Sequence, residues 1–358
     1  MKINYTMFGT GLTGGNRVLF EFANGLIERG HEVTITSFGS ETEHNWYPLK
    51  AKVNYVSVPF PKKIISYGLK RFFNLHLYPY SEIELLTREL PECDINVATY
   101  CFTAFAVYRS KKGFPFYHVQ AWEPSFFNES YLINISEESY HLPLYKILNS
   151  SWLKKKLQAN YPIVTPGINL NEFYPSEINE ERVTKKILCL GKSIKRKGVW
   201  DLFESLKIVK KHIDDIQLVL FGNEPNLRNF SPIPCEYVIN PSGKKLRDLY
   251  CSVDLLVMPS HLESCPLPPL EAMACGIPVV TTNCGTEDYA IHKENCLVVS
   301  PNRPKEMADA IITILNDEKL RNQLISNGLA SVKKHTWKES VDKIEKIFIK
   351  YKNGKGEG

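Results

Sequence analysis

Residues 252–289, SVDLLVMPSHLESCPLPPLEAMACGIPVVTTNCGTEDY, constrain the fold more than any other part of the chain. The apolar run 253–258 has the length and composition of a buried parallel strand. Pro259 and Ser260 stop it, and a short polar loop carries Glu263. Pro266, Pro268 and Pro269 suit a helix entry, where a missing N–H costs nothing. The helix is predicted over 270–275 and ends at Gly276 and Pro278, before a second buried strand at 277–281. Glu263 therefore falls in a strand-to-loop mouth, and Glu271 in the first turn of the next helix. Open α/β sheets bind phosphate-bearing ligands in such crevices, beyond the carboxyl ends of their strands. Free N–H groups and the positive helix end point there, and a carboxylate can accept hydrogen bonds from a ribose diol. On spacing alone, both glutamates read equally as solvated charges capping a helix.

The strand–helix alternation recurs along the chain. Strand-like runs at 3–8, 32–37, 53–58, 95–99 and 114–120 accompany helices predicted over 15–29 and 150–158. The pattern restarts with strands at 186–190 and 217–221 around a helix at 200–211. Such alternation argues for parallel sheets with helices on both faces. At 358 residues the chain is long enough for two domains with separate cores. We place the first at 1–165 and the second at 185–336, joined by a linker at 166–184 that continues the Pro-, Gly- and Asn-rich stretch YPIVTPGINLNEFYP. A final helix is predicted at 337–352, followed by a disordered tail at 353–358.

Composition narrows the function classes. The net charge of +5, nearly all of its excess in the second half, suits a polyanionic small molecule, and no basic stripe with interleaved aromatics appears in that half to argue for nucleic acid. Nine cysteines show neither CxxC pairs nor zinc spacing, and Cys189, Cys251, Cys265 and Cys275, in or beside apolar runs, read as small buried hydrophobes, which implies a reducing cytosol. The sequence has no secretory-signal pattern and no apolar run near 18 residues, so the expected location is cytoplasmic. One stretch, 60–80 (FPKKIISYGLKRFFNLHLYPY), mixes basic and aromatic residues. It can lie on an anionic membrane surface, or bury one face under snorkelling basic side chains.

Gly9-Thr10-Gly11-Leu12-Thr13-Gly14 matches the GxGxxG pattern after a strand. The dinucleotide fingerprint also wants an acid at the end of the second strand. That strand ends in Ser37-Phe38, and Glu41 arrives late, so a nicotinamide site is disfavoured. Residues 188–198, LCLGKSIKRKG, form a strand running into a basic loop. In 114–124, FPFYHVQAWEP, alternation puts His118 and Gln120 on one face of a strand.

The Glu263-x7-Glu271 string resembles the signature of retaining GT-B glycosyltransferases of family 4, the glycosyl transferases group 1. The resemblance covers nearly the whole chain and is strongest over 186–317. It implies an α/β fold of two Rossmann-like domains facing a central cleft, with the last helix crossing back to the N-terminal domain. The implied activity moves a sugar from a nucleoside-diphosphate sugar to an acceptor hydroxyl with retention. The product would be a polysaccharide, glycolipid or glycoconjugate, and the acceptor a saccharide or lipid-linked molecule. By resemblance Glu263 contacts the donor sugar and Glu271 holds the ribose. Lys197, with Lys192 or Arg196, faces the diphosphate after Gly191. Ser264, Cys265, Pro266 and Leu267 line the donor loop, while Gly222, Asn223 and Val238 border the base. Gly14 and Gly15 shape the acceptor side, with His118 or Gln120 near the reacting sugar. His118 reads equally as a core histidine.

Two departures stand out. Glu263-Ser264-Cys265-Pro266 replaces the usual Glu-Gly-Phe-Gly, and Gln120-Ala121 replaces the usual His-Asp. The Val-Gln-x-x-Glu-Pro variant resembles a branch making bacterial surface polysaccharide, including deoxysugar transferases. No Asp-x-Asp is present for a metal-bound diphosphate, so no metal or other cofactor is expected. Two other readings stand: a sugar-nucleotide epimerase of the same fold, and a catalytically silent subunit that binds a partner or carbohydrate.

Overall fold

The computed structural model describes residues 1–57, 78–176 and 183–354. The basic, aromatic stretch at 60–80 lies outside the described residues up to position 77, as do 177–182 of the linker and 355–358 of the tail. The chain divides into two compact units. Met1–Asn149, Leu153–Val164 and Trp337–Gly358 make the first, and Ser150–Trp152 with Thr165–Thr336 the second.

In the first unit the strands are β1 (Lys2–Met7), β2 (Glu32–Phe38), β3 (Lys52–Val56), β4 (Ile95–Ala98), β5 (Phe114–Val119) and β6 (Tyr145–Leu148). They form one parallel sheet in the order β3-β2-β1-β4-β5-β6. Among the described residues, five helices precede the second unit's sheet: α1 (Gly14–Glu28), α2 (Tyr80–Glu89), α3 (Cys101–Ser110), α4 (Ser130–Ser139) and α5 (Ser151–Leu157). The strand order reverses between β1 and β4, which creates a switch point at their carboxyl ends.

The second unit repeats the plan with β7 (Lys185–Leu190), β8 (Ile216–Gly222), β9 (Cys235–Ile239), β10 (Leu255–Met258), β11 (Val279–Thr282) and β12 (Leu297–Val299). Its order, β12-β11-β10-β7-β8-β9, reverses between β7 and β10. The helices are α6 (Val199–Val209), α7 (Gly243–Cys251), α8 (Pro268–Ala274), α9 (Pro304–Asn316) and α10 (Glu318–Val332). Strand alternation splits the core into two layers. Ile187, Leu218 and Leu255 pack on Leu202, Leu206 and Ile311 from α6 and α9. Their neighbours Leu188, Val219 and Leu256 pack on the other side with Tyr250, Leu270 and Met273. Each such buried side chain contributes roughly 1.5–3 kcal/mol.

The chain then returns to the first unit as α11 (Trp337–Lys352). Phe348 meets Phe116 edge-on at 4.9 Å, and Trp337 meets Phe22 at 5.6 Å. Val341 fills the space beside Gly25, where any Cβ would lie 2.6 Å from its Cγ2. Arg29 pairs with Asp342 and, at 3.3 Å, with Glu345, which also holds His31 at 2.6 Å.

Candidate functional site

The switch point of the second unit gathers two loops because β7 and β10 pair side by side. After β7, Lys195–Lys197 forms a short 3-10 turn, and Gly198 adopts φ 68°, the left-handed region. A Cβ at Gly198 would lie 1.9 Å from the Pro259 carbonyl oxygen, so glycine lets the basic loop touch the loop after β10. The two loops are then stitched together by main-chain bonds. His261 N–H and Leu262 N–H donate to the Arg196 carbonyl at 2.8 and 3.3 Å. Gly285, at φ 73°, allows a third approach, since a Cβ there would stand 2.5 Å from the Glu263 carbonyl.

This closeness brings Lys197 and Glu263 into a direct ion pair, with side chains only 17% and 12% exposed. Ser260 Oγ donates to the same Glu263 oxygen at 3.0 Å. Beside them, His261 Nε2 lies 2.6 Å from Asp201 Oδ2 in the first turn of α6. A partly buried ammonium paired with one carboxylate can take over an incoming anion while the carboxylate turns to hydroxyl donors.

Glu271 occupies the first turn of α8 and is 4% exposed. Tyr250, fully buried in α7, donates its hydroxyl to Glu271 Oε2 at 2.6 Å. The ESCP loop ahead of α8 is also fixed. Ser264 is buried with its Oγ 3.3 Å from Ser150 Oγ, and burial pushes the Cys265 thiol up. The Pro266 carbonyl accepts from Tyr289 Oη at 2.7 Å, and the Leu267 carbonyl from Glu271 N–H at 2.9 Å.

A neighbouring cluster forms at the ends of β7, β8 and β9. Tyr237 Oη accepts from Glu224 N–H at 2.7 Å and donates to the Gly191 carbonyl at 3.0 Å. Gly191 and Gly222 leave room for that ring, for a Cβ at either would come within 3 Å of Tyr237. Lys192 bonds Asn223 and lies 3.8 Å from Glu224. It is engaged in this cluster, whereas Arg196 contributes its carbonyl to the loop junction. Val238 is half-buried on β9 beside it.

In the first unit, Thr13 Oγ1 caps α1 by accepting from Asn16 N–H at 3.1 Å. The Gln120 amide sits 3.7 Å from the Cβ position of Gly15, so these two residues meet, whereas Gly14 has open space around it. His118 meets the same helix further along, at Phe22. It is fully buried, 5.2 Å from the Phe22 ring, with both ring nitrogens lacking a hydrogen-bond partner. Burial lowers its pKa to about 4, which keeps the imidazole neutral. Sequence reasoning passed over Ser260, Asp201, His261, Tyr250 and Tyr237. His261 and Ser260 lie in the quoted loop itself, and the strand-end position of Ser260 was the signal that could have flagged it.

Two parallel six-stranded units, each with a switch point at its strand ends, make the GT-B fold. Residues 171–331, which hold Lys197, Glu263 and Glu271, match the family model of the glycosyl transferases group 1. The chain is a glycosyltransferase, and the family match spans most of its second unit. It is 25% identical over 346 residues to an uncharacterized glycosyltransferase of Haemophilus influenzae, covering 90% of this chain and 93% of that one. A capsular polysaccharide biosynthesis glycosyltransferase of Staphylococcus aureus is 25% identical over 266 residues, 68% of this chain and 69% of the relative. Among solved structures, a sucrose-phosphate synthase of Thermosynechococcus elongatus superposes with TM-score 0.77 at 17% identity, covering 99% of each chain. HepE of Anabaena, in complex with UDP and glucose, superposes with TM-score 0.74 at 17% identity, over 98% of this chain and 99% of the other.

Proposed function

We propose that this chain transfers a hexosyl or deoxyhexosyl unit from a nucleoside-diphosphate sugar to an acceptor hydroxyl, with retention and without a metal. Surface polysaccharide, glycolipid or glycoconjugate synthesis is the setting that its capsular-polysaccharide relative favours, and a cytoplasmic location is part of the same proposal. The observation that carries the reading is the Lys197–Glu263 pair at the β7/β10 switch point. A diphosphate drawn to Lys197 releases Glu263 to orient the sugar hydroxyls. Glu271, steadied by Tyr250, holds the ribose diol, and the base lies along Gly222, Asn223 and Val238.

The sugar C1–O bond to the diphosphate breaks as the acceptor oxygen bonds to C1 on the same face. The acceptor proton passes to the departing diphosphate oxygen. Lys197, helped by Lys192 or Arg196, supplies the positive charge that a metal supplies elsewhere. Gly14, Gly15 and Gln120 are the acceptor-side residues, because the Gly15–Gln120 contact closes the end of β5 onto α1. The buried, unpartnered His118 belongs to the core in this reading. Among the described residues no helix is long and apolar enough to cross a membrane. Contact with a membrane surface is proposed from the 60–80 sequence alone.

The test is incubation with labelled nucleotide sugars in EDTA, with the anomeric configuration of the product read by NMR. Transfer or slow hydrolysis giving the donor's own anomer supports the reading. Inversion, or activity abolished by EDTA, refutes retention or metal independence respectively. A donor that binds and never reacts would favour the silent subunit.

A further inference from the structure

Apart from the switch-point residues, the first unit holds a cavity of about 370 Å³. Trp122, two residues past Gln120, forms one wall, and Tyr161 another. Tyr140 backs Trp122 in a near-parallel stack at 5.4 Å, and Tyr117 continues that stack at 5.9 Å. Lys156 Nζ hangs 4.8 Å above the Trp122 ring. Lys146, on edge strand β6, reaches the cavity with its ammonium 5.1 Å from the Tyr161 ring.

Lys146 is the informative residue. It is only 3% exposed, and its ammonium bonds two neutral carbonyls, of Leu142 at 2.9 Å and Leu144 at 3.2 Å. Burial lowers its pKa to about 8, and no charged neighbour opposes that shift. A buried cation facing a cavity, with no ion-pair partner among the described residues, is an unfavourable arrangement that an anionic ligand relieves. His141 adds a third basic group at the rim, against the single carboxylate of Glu137. Aromatic walls with a few convergent polar groups are the usual make-up of a small-molecule site. Ring faces such as those of Trp122 and Tyr161 offer apolar area beside a polar edge, as a pyranose requires.

We infer that this cavity binds a sugar bearing a phosphate or a carboxylate, with Lys146 and Lys156 holding the anion and Trp122 and Tyr161 the ring. Because Trp122 follows Gln120 by two residues, the proposed transfer reaction would use the cavity as a subsite for a charged unit of the acceptor. That last step rests on the proposed transfer reaction, whereas the binding does not.

The experiment is titration of the full chain with glucose 1-phosphate, glucuronate, glucose and inorganic phosphate, following the indole N–H resonance of Trp122 assigned with Trp122→Phe. Both charged sugars are expected to shift it, at least tenfold more tightly than glucose or inorganic phosphate. Lys156→Ala, on the surface, and Lys146→Met are each expected to weaken that binding tenfold or more, while Lys197→Ala leaves it unchanged. Full affinity in folded Lys156→Ala and Lys146→Met, or loss in Lys197→Ala alone, would overturn the proposal. Glucose binding as tightly as glucuronate would remove the anion requirement, and phosphate as tightly as glucose 1-phosphate the sugar requirement. Normal sugar transfer with no shift at Trp122 would sink the cavity proposal alone, and the shift without transfer would sink only the reaction.

Discussion

Lys197 and Glu263 are 66 residues apart, and each is the other's ionic partner. If Lys197 stabilises a leaving diphosphate, Lys197→Ala should lower kcat by about 10²–10³-fold, the range for losing one preorganised donor to developing charge. KM for the donor should move much less, and steady-state kinetics separates the two. Tyr250→Phe tests the other carboxylate. Removing the hydroxyl leaves Glu271 without its 2.6 Å donor, so nucleotide affinity should fall by about tenfold, the equivalent of about 1.4 kcal/mol. The positions of both glutamates and Lys197 were legible in the sequence: Glu263 in the loop after a strand, Glu271 in a first helical turn and Lys197 in the basic loop after β7. Tyr250 was not. In KKLRDLYC it reads as an ordinary apolar helix position, and only the packing of α7 beside α8 turns its hydroxyl toward Glu271.

The elements that carry these side chains were mostly visible as apolar runs bounded by glycine and proline. β6 and β12 were not, because four- and three-residue edge strands hold too few side chains to show a period. The helix expected over 270–275 begins instead at Pro268, since both prolines fit inside its first turn. His118 shows the limit of strand alternation. The period places it on the same face as Gln120, but α1 covers that position with Phe22, so the ring ends in the core. The turn after β5 holds another buried titratable group. Glu123 accepts from Cys101 N–H at 2.5 Å, at the start of α3, and burial raises its pKa to about 8. Its native state holds a proton that the unfolded chain releases near 4.5. Stability is therefore full below that value and is lost as pH rises toward 8. Glu123→Gln should flatten this slope and make the variant relatively more stable at pH 8 than at pH 5, as denaturant titrations at the two pH values would show.

At the scale of the whole molecule, the first unit is finished only by the chain's last helix. Trp337, Val341 and Phe348 cover Phe22, Gly25 and Phe116, and the Arg29–Asp342–Glu345–His31 cluster fixes the edge of that contact. A chain ending at Thr336 should lose hydrogen-exchange protection in α1 and β5 while β7–β12 keep theirs. Equal loss in both units would contradict the division. The two-unit plan was readable from the restarted strand–helix alternation. The donor chemistry is the part that needs a direct measurement. We would record thermal shifts with UDP, GDP, dTDP and ADP in EDTA, on wild type and Glu271→Ala. A ligand that binds only the native state raises its stability with the logarithm of saturation. One diphosphate should stabilise the wild type without metal and lose that effect in Glu271→Ala. No shift from any of the four, or an undiminished shift in Glu271→Ala, would contradict a nucleotide-sugar site built on these residues.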